Sequence, residues 1–431
     1  MVSEGVITQD AADRILGYYS SKSYSKISIL IILFGILGAS LVGGGIILIL
    51  AHNWDDLARP IRIVISLLPL LTAHGFGAYV IAKKSESVAW RESVGTAGVM
   101  AVGISISLVS QTYNIYGDLE RFILAWTLLS LPIAYILDAA FPAILYIVGV
   151  GWWSLLRGGE GDIVWLYYPL IAAIVPYGVT LFRSHPQSVR FRLLVWTAVL
   201  FFIITYWSLY PEIPKHNAMS FSPGFLALLG YATLFSILYM IGSLSFYESQ
   251  PLLTNPALST TSMGIPLLMF IYTFLPPWER LVRMVPAWGA KVGAYGWCII
   301  IHTVILIACA MALLVFHIRK GRRMIIPLAS SFLLFILGYA LMFINSHAML
   351  LVNQIVFNCA LLALGIFTVV WGAMDGRLGR VNYGMIIIAI LVICRFFDVD
   401  ISFVTRGLVF IMLGAGFLTV NAVILRRRRH S

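Results

Sequence analysis

The chain has 431 residues, of which 60% are hydrophobic and only 11% charged, with a net charge of +11 and a mean hydropathy of +0.94. Soluble domains carry about 25% charged residues, and a soluble fold of this length exposes too much surface to hide so much apolar side chain. A soluble protein is therefore excluded, and the basic excess needs an explanation other than nucleic acid: it sits in short groups between apolar runs, where it sets membrane orientation.

The first residues, MVSEGVITQDAADRILGYYSSKSYSK, are polar and acidic, unlike the basic-then-apolar start of a cleaved signal peptide. Within them Thr8 to Tyr19 reads as a short amphipathic helix, capped by Thr8 and carrying Ile7, Ala11, Ile15 and Leu16 on one face. A spanning helix needs roughly 20 mainly apolar residues. Runs of that kind fall at 27–51, 62–82, 93–113, 121–137, 139–156, 163–182, 192–209, 224–244, 259–275, 292–317, 324–344, 348–373, 382–397 and 401–425. A tight turn at Asp138 divides one long run into two, and the weakest apolar signal lies from Met263 to Phe274.

The pattern predicts an all-α polytopic transmembrane bundle of about 14 helices. It comprises a cytoplasmic amphipathic segment (1–26), a multi-pass domain (27–425) and a basic cytoplasmic tail (426–431). Orientation follows from the basic residues on alternate loops. With the N-terminus inside, the inner groups are Arg14, Lys22 and Lys26; Lys83, Lys84 and Arg91; Arg183, Arg190 and Arg192; Arg319, Lys320, Arg322 and Arg323; Arg377 and Arg380; and Arg426 to Arg429. These are nineteen of the 29 basic residues, and an even number of spans keeps both termini cytoplasmic. The four cysteines, Cys298, Cys309, Cys359 and Cys394, each stand alone in an apolar run and read as small buried hydrophobes.

Ionisable groups inside a membrane are costly and point to function. In this topology no Asp or Glu falls at mid-helix, which weighs against a carrier that couples through a mid-depth carboxylate; His74 and His302 are the titratable groups that do fall mid-span. Polar residues gather instead at predicted outer helix ends. The first run, with Gly43, Gly44 and Gly45, leads into His52-Asn53-Trp54-Asp55-Asp56. The third ends in Gln111-Thr112-Tyr113, followed by Asp118, Glu120 and Arg121. The thirteenth ends in Arg395-Phe396-Phe397-Asp398, with Arg406 just inside the last. In the twelfth, Asn353, Gln354 and Asn358 place three amides in one apolar run, Gln354 and Asn358 sharing a face.

The candidate substrate-binding set is therefore Asp55, Asp56, Gln111, Tyr113, Asp118, Arg121, Asn353, Gln354, Asn358, Arg395, Asp398 and Arg406. Arg395 and Arg406 require partners near the apolar zone, and Asp55, Asp56, Asp118 and Asp398 are candidates. The bland alternative is interfacial charge and ordinary interhelical hydrogen bonding. Nucleophile-elbow, zinc-protease, phosphate-loop and dinucleotide motifs are absent, so no catalytic residue, cofactor or metal is assigned.

Three stretches, GGGIILILAHNWDDLARPIRIVIS, SLVSQTYNIYGDLERFILAW and RFFDVDISFVTRGLVFIMLGAGFLTVNAVILRRRR, resemble the bacterial predicted membrane proteins of domain-of-unknown-function family 2157. The matching positions are Asn53, Trp54 and Asp55; Gln111, Tyr113 and Gly117; and Phe397, Asp398, Arg406 and Gly407. The resemblance covers the first four helices and the last two. It implies a multi-pass inner-membrane protein without an established activity, and a small membrane-anchored envelope protein as a partner beside the lipid bilayer. The leading reading is a transporter or flippase of a polar or lipid-linked envelope metabolite. A polytopic lipid-dependent glycosyltransferase-like enzyme, with Asp55 or Asp56 as base, and a non-catalytic envelope scaffold are the alternatives.

Overall fold

The computed structural model describes residues 8–11, 13–14, 54–159, 164, 166–210, 224–244, 254–284, 294–342 and 347–398. The runs at 27–51 and 401–425, and the side chains of Asp398 and Arg406, lie outside the described residues. The described fold is all-α, with no strand. The helices are α1 (Arg59–Lys83), α2 (Val88–Tyr113), α3 (Leu119–Ile136), α4 (Ala140–Gly159), α5 (Tyr167–Ser184), α6 (Val189–Thr205), α7 (Gly224–Gly242), α8 (Pro256–Ile271), α9 (Leu275–Met284), α10 (Ala294–Arg319), α11 (Ile326–Ala329), α12 (Ser331–Met342), α13 (His347–Met374) and α14 (Leu378–Asp398).

The other twelve predicted runs all coincide with described helices. Nine spans among the described residues are long and apolar enough to cross a membrane, or ten if the bent pair α8–α9 counts as one. The run at 163–182 forms α5, which is not among the nine; three tyrosines and Arg183 dilute its hydropathy. Large apolar side chains such as Val304, Ile305, Ile355 and Val370 are exposed along these helices, as expected where lipid is the solvent. The cysteines follow the same logic and correct the burial expectation: Cys309 and Cys359 are exposed, Cys298 and Cys394 half-buried.

The chain divides into two compact units, residues 1–71 with 104–116, and residues 72–103 with 117–431. In the first, a 3-10 turn at Trp54–Asp56 is held by Arg62, whose Nη2 donates to the Asp55 carbonyl at 2.6 Å and whose Nε donates to Leu57 O at 2.9 Å. Near the N-terminus the backbone N–H of Ala11 donates to Thr8 Oγ1 at 3.3 Å, the expected cap.

The two largest apolar clusters of the second unit share α7. α7 is apolar on every side (GFLALLGYATLFSILYMIG), so it has no face for water or lipid to prefer and is buried between the two. Its last carbonyls are satisfied from three directions: the Met240 oxygen lies 3.1 Å from His317 Nε2, Asn255 Nδ2 donates to Gly242 O at 2.6 Å, and Arg322 donates to Ser243 O. α3 and α4 form a hairpin at Asp138, a non-glycine residue with φ 45°, where Ala139 N–H donates back to Ala134 O at 3.1 Å. α13 and α14 form another hairpin. A Cβ on Gly384 would lie 2.7 Å from the Gly365 carbonyl, so glycine permits the close approach.

Candidate functional site

The weakest apolar run proves to be a sharply bent helix pair. α8 and α9 are bent by 84° at Tyr272–Phe274. Tandem prolines at Pro276 and Pro277 open α9, where proline is tolerated because the first N–H groups lack intrahelical acceptors anyway. α9 (LPPWERLVRM) is strongly amphipathic: Trp278 and Leu281 are buried while Arg280 and Arg283 are exposed.

A break leaves backbone carbonyls without helical donors, and in an apolar setting each needs another partner. Three donors supply them. Trp278 Nε1 donates to Tyr272 O at 2.8 Å. Asn358 Nδ2, on α13, donates to Thr273 O at 3.0 Å and to its own helix at Gln354 O at 2.7 Å. Arg395, in the last turn of α14, donates to the same Thr273 carbonyl and lies 4.4 Å above the Phe274 ring. A cation at the carbonyl end of α8 opposes its dipole, and the ring face adds a cation–π contact.

An aromatic box holds this arrangement. Trp278, fully buried, meets Tyr272 at 5.0 Å and Phe357 at 5.1 Å between ring centroids, and Phe357 meets Phe335 at 4.9 Å. Beside it Asn353, 1% exposed, donates from Nδ2 to the Gly338 carbonyl at 3.0 Å. Its Oδ1 is buried and finds no donor among the described residues. An unmet acceptor of this kind costs on the order of 1–3 kcal/mol.

Of the residues singled out from sequence, Asn353, Asn358 and Arg395 meet around this break, with Gln354 contributing its carbonyl. The others make local contacts or none that define a site. Asp55 is 98% exposed in its side chain, 3.9 Å from Arg62. Asp56, Gln111 and Tyr113 are exposed. Asp118 caps α3 by accepting from Arg121 N–H at 2.8 Å and pairs with the Arg121 guanidinium at 3.3 Å. The partners shown for Arg395 are a carbonyl and an aromatic ring; the side chain of Asp398, one of the aspartates expected, lies outside the described residues. Sequence reading missed Thr273, Phe274 and Trp278; the Pro-Pro pair interrupting a weak span was the available signal.

A second polar cluster lies where α2, α4, α5 and α6 end. The Glu92 carboxylate accepts from Ala140 N–H at 2.9 Å, Phe141 N–H at 2.8 Å and Arg190 Nε at 2.7 Å. Arg91 pairs with Asp138 at 2.7 Å, and Arg190 also donates to the Asp138 carbonyl and reaches Tyr177 Oη at 3.4 Å. The fold brings these helix ends together. Two positive and two negative groups compensate each other there, which reads as a staple between helices.

Residues 1–143 match the family model described as predicted membrane protein (DUF2157). The DUF2157 match takes in Asn53, Trp54, Asp55, Gln111, Tyr113 and Gly117 and stops early in α4. The likeness at Phe397, Asp398, Arg406 and Gly407 falls beyond it, as does the whole broken-helix site. No curated protein and no solved structure matches the chain.

Proposed function

We propose that this membrane protein is a carrier or flippase for a polar or lipid-linked envelope metabolite with an anionic head group, residing in a bacterial inner membrane with both termini cytoplasmic. The observation that carries the reading is the broken α8–α9 span, whose Thr273 carbonyl is met by Asn358 and Arg395. Discontinuous spans lined by unwound backbone are where secondary transporters bind substrates and ions, and irregular backbone at membrane depth is tolerated where it is buried in protein or lines a water-filled cavity. A guanidinium at such a break matches phosphate or carboxylate with two parallel donors, and Asn353 Oδ1 supplies an acceptor for a hydroxyl or amide of the same ligand.

Arg395 is the head-group ligand in this reading, Asn358 holds the break open, and Asn353 orients the ligand. The outer ends that carry Asp55, Asp56, Gln111, Tyr113, Asp118 and Arg121 act as entry rather than binding residues. The inner orientation rests on nineteen of 29 basic residues falling on one set of loops.

Native mass spectrometry of gently solubilised wild type beside Arg395→Gln and Asn353→Leu tests the assignment. An anionic amphiphile retained by wild type and lost from both monodisperse variants is the expected result. Equal retention in all three, or a stoichiometric protein partner with no lipid, overturns it in favour of a scaffold.

A further inference from the structure

His302 lies on the second turn of the candidate span Gly296–Arg319, about 10 Å along the helix from its start at 1.5 Å per residue. The imidazole is half-buried and ringed by tyrosines: its centroid is 6.0 Å from Tyr168 (α5), 6.0 Å from Tyr206 and 6.2 Å from Tyr210, the last two opening and following the 3-10 turn Tyr206–Leu209 after α6. Nδ1 is 3.4 Å from Tyr210 Oη, and Tyr210 Oη is 2.8 Å from Tyr206 Oη. Both tyrosines are fully buried. Gly230 of α7 makes the space for their hydroxyls, because a Cβ there would meet both, Tyr206 Oη at 2.6 Å. Tyr231, from the same helix, packs edge-on against Tyr206 at 4.9 Å. Among the described residues no carboxylate, Lys or Arg interacts with the ring. Among the described residues the titratable groups that face it are Tyr168, Tyr206 and Tyr210, with Thr303 beside it on its own helix.

A lone packed histidine needs one hydrogen bond and no chain behind it. Here the ring opens onto two buried hydroxyls in series, and three tilted aromatic rings surround a group that becomes a cation on protonation. His74 offers a contrast, since it is exposed on α1.

We propose that His302 is a proton-binding site and that the Tyr210–Tyr206 pair reverses its hydrogen-bond direction with the charge of the imidazole. With Nδ1 unprotonated, Tyr210 donates to Nδ1 and Tyr206 donates to Tyr210. A proton taken up from solvent onto Nδ1 makes it a donor to Tyr210 Oη, whose own hydrogen then turns to Tyr206 Oη while the Tyr206 hydrogen rotates away from Tyr210. One proton is gained and no covalent bond other than N–H forms. In a carrier lacking a mid-span carboxylate this site supplies the coupling ion; that role rests on the transport reading, while proton binding itself does not.

The test uses full-length protein in lipid nanodiscs, labelled in its eight histidines, with NMR spectra followed across roughly pH 5 to 8, the range in which histidine titrates. The resonance missing from His302→Gln is expected to titrate reversibly in wild type, with its midpoint moved by roughly half a pH unit or more in Tyr210→Phe. Tyr206→Phe, which shortens the chain without touching the ring, serves where Tyr210→Phe is not monodisperse. A His302 resonance that does not change over this range, or one with the same midpoint in the tyrosine variants, overturns the proposal. Proteoliposomes with an internal pH dye then separate the two claims. Proton uptake lost in His302→Gln supports coupling, whereas a titrating His302 with no flux in wild type leaves the proton site standing and removes the coupling role.

Discussion

Replacing Glu92 by alanine removes a carboxylate that joins three helices. Its oxygens accept two backbone N–H groups from the first turn of α4 and the Arg190 Nε of α6, at 2.9, 2.8 and 2.7 Å. The Glu92 and Arg190 side chains are only 21% and 16% exposed, so water replaces little of what is lost. Hydrogen bonds to a charged group contribute about 1.5–3 kcal/mol each, and three would sum to more than the site can give because solvent reaches its edge. Breaking a buried ion pair by removing one partner costs about 3–5 kcal/mol, and that range is expected for Glu92→Ala. Glu92→Gln keeps the shape and an acceptor but loses the charge, and falls at about 1–2 kcal/mol. Unfolding free energies measured by steric trapping in bicelles provide the comparison. A Glu92→Ala protein within about 1 kcal/mol of wild type refutes the staple, because it would mean that these contacts exchange with water as freely as exposed pairs do.

The remaining expectations concern the site and its surroundings. Gly338→Ala places a Cβ 2.7 Å from the Trp278 ring and is expected to destabilise by about 1–3 kcal/mol through overpacking; an unchanged melting temperature would show that the aromatic box yields freely. Arg380→Ala removes a partly exposed pair with Asp375 at 2.5 Å and is expected to stay within about 1 kcal/mol in the same unfolding assay. Trp278→Phe leaves the Tyr272 carbonyl without its 2.8 Å donor and is expected to cost about 1–3 kcal/mol. It should also raise protease cleavage near residues 272–278, whereas an unaltered digestion pattern would argue that the break needs no such support. Gly230→Ala is expected to separate the Tyr206 and Tyr210 hydroxyls, read as a shift in tyrosine ring resonances.

The membrane class, the helical content and the positions of the described spans were legible in the sequence, because each apolar run must pay its own desolvation and satisfy its own backbone within the lipid. The Asp138 turn was legible for the same reason, since one apolar run was too long for a single crossing. Lipid supplies no hydrophobic drive between helices, so the order in which spans pack leaves little trace in hydropathy. That is why the meeting of Asn358 and Arg395, 37 positions apart in sequence, on the carbonyl of Thr273 was decided by the tertiary structure alone. The same holds for Glu92 and Arg190, which read singly as orientation charges and together as a staple. His302 stood out from sequence as a mid-span titratable group; the tyrosines that give it chemical meaning come from α5 and the turn after α6, and only folding brings them to its ring.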